Sequence, residues 1–339
     1  MRRGGQMLVE CLIALGASKA FGGPGESYLA VLDALHDVKG QLDFINCRNE
    51  GGAAFIAAAW GKLTGAPGLC FVTRGPGVTS ASIGIHTAMQ DSAPMIIFVG
   101  QVGTDMKGRE AFQEIDYRAV YGTMAKWVVE VDDVNRLPEI LARAWTTALT
   151  GRPGPVVVAL PEDMLTSDTD VAALTGPARI HEPAPSPLAV AEALALLSAA
   201  RRPVILFGGV NWTAQGRADM QRFAESSDIP VLAAFRYQDR FDNSSVSYAG
   251  EAGVGIPSHV KALIREADVI LAINIRFGEM TTDGYTLLEV PMPAWIGPRN
   301  RQGLSADPWG PGWPQCIRGG LAPGSGALGR LAGLRTRRV

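Results

Sequence analysis

Short apolar runs bounded by glycine or proline recur along the first 165 residues, and they alternate with stretches of helical period. LDFIN (42–46), GLCFVT (68–73), PMIIFVG (94–100) and GPVVVALP (154–161) are near-continuous in their apolar character. A strand without a polar face is buried on both sides, which is the condition of a parallel strand covered by helices. The intervening segments 50–64, 79–90 and 137–149 carry helical patterns, so the pattern predicts an α/β fold with a parallel sheet. RRPVILFGG (201–209), IPVLAA (229–234) and ADVILAIN (267–274) repeat the theme around a helical segment at 213–227. Between the two sets, residues 166–188 lose all periodicity and carry Pro177, Pro183, Pro185 and Pro187, as an inter-domain linker does. The expectation is two three-layer α/β domains with mainly parallel sheets, at 1–165 and 189–290, followed by an irregular tail at 291–339.

Composition narrows the function classes. Hydrophobic residues make up 47% of the 339 and charged residues 19%, enough to bury a large core. A formal charge of −2 gives no reason to expect nucleic acid or an anionic membrane as partner. Cys11, Cys47, Cys70 and Cys316 lack paired spacing, which predicts reduced thiols in a cytoplasmic protein rather than disulfides or a zinc site. The four histidines are scattered, and no metal site is predicted from them. In MRRGGQMLVECLIALGA, Glu10 interrupts the apolar run while Leu8, Leu12, Ile13 and Leu15 share a helix face. That is a helix of the fold, not a signal peptide, and no segment reaches the ~20 apolar residues of a membrane span. The last stretch, 291–339, holds ten glycines, seven prolines, seven arginines and one acidic residue. It reads as an out-of-frame or disordered end, with a basic nucleic-acid arm as the less favoured alternative.

Three glycine-rich turns stand at strand ends or helix starts: FGGPGES (21–27), RNEGGAA (48–54) and TRGPGVTS (73–80). Each offers backbone N–H groups and close approach, and such places in parallel sheets commonly hold ligands. RNEGGAA is unusual because Glu50 and two glycines open an otherwise alanine-rich helix. Glycine in a helix costs about 1 kcal/mol relative to alanine. From the residues alone Glu50 is equally a catalytic carboxyl or a first-turn carboxylate favoured by the helix dipole. Asn49 fits as the cap of that helix. No G-x-G-x-x-G follows a strand in the second domain, so a nicotinamide fingerprint is absent.

FGGPGESYLAVLDAL, CRNEGGAAFIAAAWGKLTG, FVTRGPGVTSASIGIHTAMQDSAPMIIFVGQV and GRPGPVVVALPEDM together resemble the thiamine-diphosphate-dependent enzymes of the acetolactate synthase type. They come in the family's order and spacing, strongly over 7–165 and more loosely over 185–290. The resemblance implies a pyrimidine-binding domain at 1–165 and part of a central domain at 189–290. It assigns Glu50 to protonating a ring nitrogen of the cofactor's aminopyrimidine. Gly23, Pro24 and Gly25 would lie beside the pyrimidine, Gly51 would let it approach the helix mouth, and Gly75, Pro76 and Gly77 would line the pocket, with Thr79 and Ser80 starting the next helix. REAFQEIDY (109–117) resembles a stretch facing the substrate, which nominates Phe112 and Gln113; ordinary packing is as good a reading of Phe112.

The implied reaction is decarboxylation of a 2-oxo acid followed by carboligation, in a homodimer or higher homo-oligomer. The alternatives are another thiamine-diphosphate decarboxylase, oxidase or lyase, or a binding protein that has lost catalysis. The adjacent histidine pair of pyruvate-decarboxylase-like members is absent. In the family a third domain holds Mg²⁺ and the diphosphate through Gly-Asp-Gly and Asn-Asn, and no Gly-Asp-Gly occurs here. A truncated chain, inactive alone and weak in cofactor binding, is therefore expected. RFGEMTTDGY (276–285) lies where flavin-using members contact FAD but departs from their sequence, which leaves FAD open.

Overall fold

The computed structural model describes residues 1–177, 180, 184–288 and 294–296. The chain divides into two compact units, Met1–Ile180 and His181–Val339.

The first unit runs β1 (Arg2–Arg3), α1 (Gly4–Ala14), β2 (Lys19–Gly22), α2 (Leu29–Asp37), β3 (Asp43–Asn46), α3 (Glu50–Thr64), β4 (Gly68–Val72) and α4 (Gly75–Gln90). It continues with β5 (Met95–Gln101), α5 (Tyr117–Tyr121), β6 (Trp127–Glu130), α6 (Leu137–Leu149), β7 (Pro155–Pro161), α7 (Glu162–Thr166) and β8 (Asp168–Thr169). Six strands form one sheet in the order β3-β2-β4-β5-β7-β6, and every pairing in it is parallel. Strands β4, β5 and β7 are buried throughout, as their unbroken apolar runs require. Alternate residues serve opposite faces. Leu69, Phe71, Ile96 and Phe98 pack against α1, α2 and α6, whereas Cys70, Val72, Ile97 and Val99 pack against α3 and α4. The result is a three-layer sandwich.

The two helical layers differ in residue size. The α1–α2–α6 side is filled by Met7, Leu8, Leu12, Leu137 and Leu141. The α3–α4 side is built on Ala53, Ala54, Ala57, Ala81 and Ala88 and on glycines that admit no side chain. A Cβ on Gly84 would lie 2.4 Å from Ala54 Cβ, one on Gly61 2.0 Å from the Pro94 carbonyl oxygen, and one on Gly68 1.8 Å from that of Ala57. Backbones meet there without intervening side chains, which seats α3 close to both α4 and the sheet.

Two boundaries differ from expectation. Helix α4 begins at Gly75 rather than at Thr79, because Pro76, with its backbone angle pre-set and no N–H to satisfy, suits a first turn. Residues 166–169, at the head of the expected linker, end α7 and form β8, which pairs antiparallel with Arg2 and Arg3.

The second unit comprises α8 (Pro187–Ala199), β9 (Pro203–Phe207), α9 (Ala214–Ser227), β10 (Val231–Ala234), β11 (Tyr248–Ala252), α10 (Ser258–Glu266), β12 (Val269–Ile273) and β13 (Ala294–Ile296). Its five strands lie parallel in the order β11-β10-β9-β12-β13. Ser186 and Thr213 cap α8 and α9 by accepting from Ala189 N and Gly216 N. Residues 294–296 extend the sheet beside β12. Residues 297–339 lie outside the described residues. No helix among the described residues is long and apolar enough to cross a membrane.

The tight seam makes a stability prediction. Gly84→Ala should destabilise the chain by about 1–3 kcal/mol in urea unfolding, the range for overpacking. Gly52→Ala, where a Cβ would meet nothing closer than Asn49 Oδ1 at 4.0 Å, should be neutral or stabilising by up to about 1 kcal/mol. Equal effects would contradict the seam.

Candidate functional site

The C-terminal ends of β2, β3 and β4 converge on the mouth of α3. Asn49 has extended backbone and its Oδ1 accepts from Gly52 N at 3.0 Å, so the helix is capped by Asn49 and Glu50 is free of that task. Glu50 is half-buried. A Cβ placed on Gly23 would lie 3.9 Å from Glu50 Oε1 and 3.9 Å from the Cys47 carbonyl, ordinary contact distances, so the Glu50 carboxylate stands beside the Gly23 backbone. The two glycines after Glu50 separate in role. Gly51 is buried against α4, where a Cβ would stand 3.1 Å from the Ser80 carbonyl, while Gly52 is exposed.

The first glycine turn is held from below. Tyr28, fully buried, donates its hydroxyl to the Gly23 carbonyl. Burial, with Cys70 and the Glu50 carboxylate nearby, pushes the phenol above its ordinary pKa, so it stays a neutral donor. Gly25 has no room for a side chain, since its Cβ would meet Thr73 Cβ and Tyr28 Cε1 at 2.9 Å each. Pro24 is exposed. Ser27 Oγ lies 3.0 Å from Thr73 Oγ1 and binds the first turn to the second. Burial also raises the Cys70 thiol, which removes it as a nucleophile.

In the second turn Gly75 N donates to the Gln113 carbonyl at 3.0 Å, and a Cβ on Gly75 would sit 2.8 Å from that oxygen. Gly77 packs on Thr73 and Pro76 is exposed. Gln113 thus reaches this turn through its backbone, in a left-handed conformation at φ 66°. A non-glycine residue there carries about 1–3 kcal/mol of strain. Phe112 is 70% exposed and does not pack. Glu114 shapes the loop by accepting from Gly108 N and Ala111 N.

Four charged residues escaped the sequence reading. Arg74, just before the second Gly-Pro-Gly, is buried, with Nη2 2.7 Å from Glu162 Oε2 and Nη1 3.4 Å from Glu26 Oε1. Glu26 directly follows the first Gly-Pro-Gly. Opposite charges flanking two like turns were the available signal. Asp163, beside Glu162, accepts from Thr104 N at 3.1 Å and from its hydroxyl. The arrangement offers a carboxyl with reachable oxygens and backbone edges from two glycine turns, suited to a flat, hydrogen-bonding ring. Among the described residues no group of three or more His, Cys, Asp or Glu side chains is placed to hold a metal ion.

Comparison with known proteins shows the family. Residues 2–120 match the thiamine pyrophosphate enzyme N-terminal TPP binding domain, and residues 190–295 match the central domain of the same family. The chain is 33% identical over 289 residues to the large subunit of acetolactate synthase isozyme 3 from Escherichia coli, covering 84% of this chain and 50% of that one. It is 34% identical over 286 residues to the acetolactate synthase large subunit of Corynebacterium glutamicum, covering 82% and 45%. It is 33% identical over 286 residues to a probable acetolactate synthase large subunit of Methanocaldococcus jannaschii, covering 83% and 48%. The chain spans about half the length of these curated relatives. With two successive domains of one family matched in order, the chain belongs to the thiamine pyrophosphate enzyme family and is similar to acetolactate synthase large subunits.

Proposed function

We propose that this chain supplies the pyrimidine-binding half of a thiamine diphosphate site, in a protein that decarboxylates a 2-oxo acid and joins the product to a second carbonyl compound. The observation that carries the proposal is Glu50 at the capped mouth of α3, its carboxylate standing beside the Gly23 backbone of the first Gly-Pro-Gly turn. The residues fit the ring. Glu50 would hold a proton at its carboxylate oxygen for the pyrimidine nitrogen, and the Gly23–Gly25 backbone would flank the ring edge. Tyr28, kept neutral, fixes the Gly23 carbonyl. When bound, the cofactor supplies the electron sink that loss of the 2-oxo acid's carboxyl group requires. The names of the relatives favour acetolactate synthase chemistry over another decarboxylase, oxidase or lyase of the family.

Mg²⁺ and the diphosphate are left to the other half of the site, since this sequence holds no Gly-Asp-Gly. FAD is not part of the proposal. The glycine turn after β9 is filled by Asn274, whose side chain a Cβ on Gly209 would meet at 2.3 Å and whose Nδ2 donates to the Val210 carbonyl. Residues 276–285 close on themselves through Thr282, which bonds the Gly278 carbonyl and Tyr285 N.

A second copy of the chain is the proposed partner. Phe55, Ile56 and Leu63 on α3 and Ile83 on α4 are exposed, and clustered large apolar side chains on one layer mark an association surface. The paired substitution Phe55→Asp/Ile83→Asp should shift the sedimentation coefficient from oligomer to monomer without loss of helical circular dichroism. A monomeric parent chain would remove this part of the proposal.

The ring-binding role is tested by ligand-observed NMR with thiamine diphosphate, which registers weak complexes. Glu50→Gln should lower affinity about tenfold or more, the loss of one charge-assisted hydrogen bond. Equal binding by parent and variant, or none by the parent, would sink the reading.

A further inference from the structure

The charges that flank the two Gly-Pro-Gly turns meet in space. Ser27 and Thr73 form a neutral rung between the turns at 3.0 Å, and the adjacent pair, Glu26 and Arg74, forms a charged one at 3.4 Å. Arg74 also reaches the end of β7, where Glu162 accepts at 2.7 Å. Its side chain is only 8% exposed, and Nε has no partner among the described residues. A guanidinium buried to that extent is a poor source of stability, because desolvation offsets much of the attraction, and apolar replacements of buried ion pairs are often neutral or stabilising. What the pair does supply is geometry, because a planar fork fixes two carboxylates at set directions.

We propose that Arg74 is a positioning residue that clasps the two glycine turns in the arrangement that receives the ring, an inference that rests on the reading of Glu50 and Gly23 given above. With the charged rung gone, the turns would be joined at this point by the Ser27–Thr73 bond alone and would pivot about it. Gly23 would then no longer stand at a fixed distance from the Glu50 carboxylate. Glu162 anchors the fork to the sheet, and Glu26 transmits the constraint to the first turn.

Hydrogen–deuterium exchange read by mass spectrometry on the full chain tests the clasp without any ligand. In Arg74→Met, peptides covering 21–28 and 73–78 should exchange about tenfold faster or more, as loss of charge-assisted bonds implies, while peptides of β4 and β5 keep their protection. Glu26→Gln should accelerate 21–28 alone. Arg74→Lys, which keeps the charge, should recover part of the protection and part of the thiamine diphosphate affinity lost in Arg74→Met; a role in packing alone would not distinguish lysine from methionine in this way. If Arg74→Met unfolds throughout, Glu26→Gln and Arg74→Lys carry the test. Unchanged exchange of 21–28 in Glu26→Gln, or identical behaviour of the lysine and methionine variants, overturns the proposal. A parent chain that ignores thiamine diphosphate while the exchange pattern holds would refute the ring-binding reading and leave the clasp standing.

Discussion

The seat of α3 is the contact on which the candidate site depends. Its inner face carries Ala53, Ala54, Ala57, Ala58 and Gly61, and the facing backbones belong to α4, to β4 and to the Pro94 turn. Apolar burial is proportional to area, so such small side chains contribute less here than the leucines of the opposite layer. What they provide is proximity. With no side chain between the backbones, α3 has one position available, and the first residue of that helix, Glu50, is placed with it. The same economy on the inner face leaves the large residues of α3, Phe55 and Ile56, on the outer one.

Around that fixed carboxyl the loops at the strand ends form a closed circuit. Ser27 and Glu26 bind the first turn to Thr73 and Arg74 of the second. Arg74 binds Glu162, its neighbour Asp163 binds Thr104, and the loop that starts there returns through the Gln113 carbonyl to Gly75. Each tie alone is a modest contribution, about 1 kcal/mol for a neutral hydrogen bond. Joined in a ring they restrain one another, which is how a strained residue such as Gln113 is held in place. Preorganised loops of this kind spare a ligand the entropy of ordering them.

The sequence made the sheet legible because a strand buried on both faces has no polar position to hide its identity. GLCFVT and PMIIFVG could be little else. Asn49 as cap and Glu50 as first helical residue were equally readable, since capping is a local interaction. The start of α4 at Gly75 was not, because Gly-Pro-Gly suits a free turn and a first helical turn alike, and only the Gln113 carbonyl above Gly75 decides between them. Gly51 and Gln113 were nominated for contact with a ligand. In the structure Gly51 also packs against α4 and Gln113 also meets Gly75 through its backbone, contacts with partners about 30 and 40 residues away that no local pattern reveals. Arg74 stayed hidden because its carboxylates come from separate strand ends, 48 and 88 residues away. Residues 294–296, Ala-Trp-Ile, form an apolar run too short to declare a strand between two prolines and a glycine.

The central claim is that the Glu50 carboxyl is the group that meets the pyrimidine ring. Difference infrared spectroscopy of the chain titrated with thiamine diphosphate observes that carboxyl directly. A change in a carboxyl band on binding, absent from Glu50→Gln and retained in Glu26→Gln, is the predicted result. A titration in which the ligand binds and the Glu50 band stays unmoved would contradict the account.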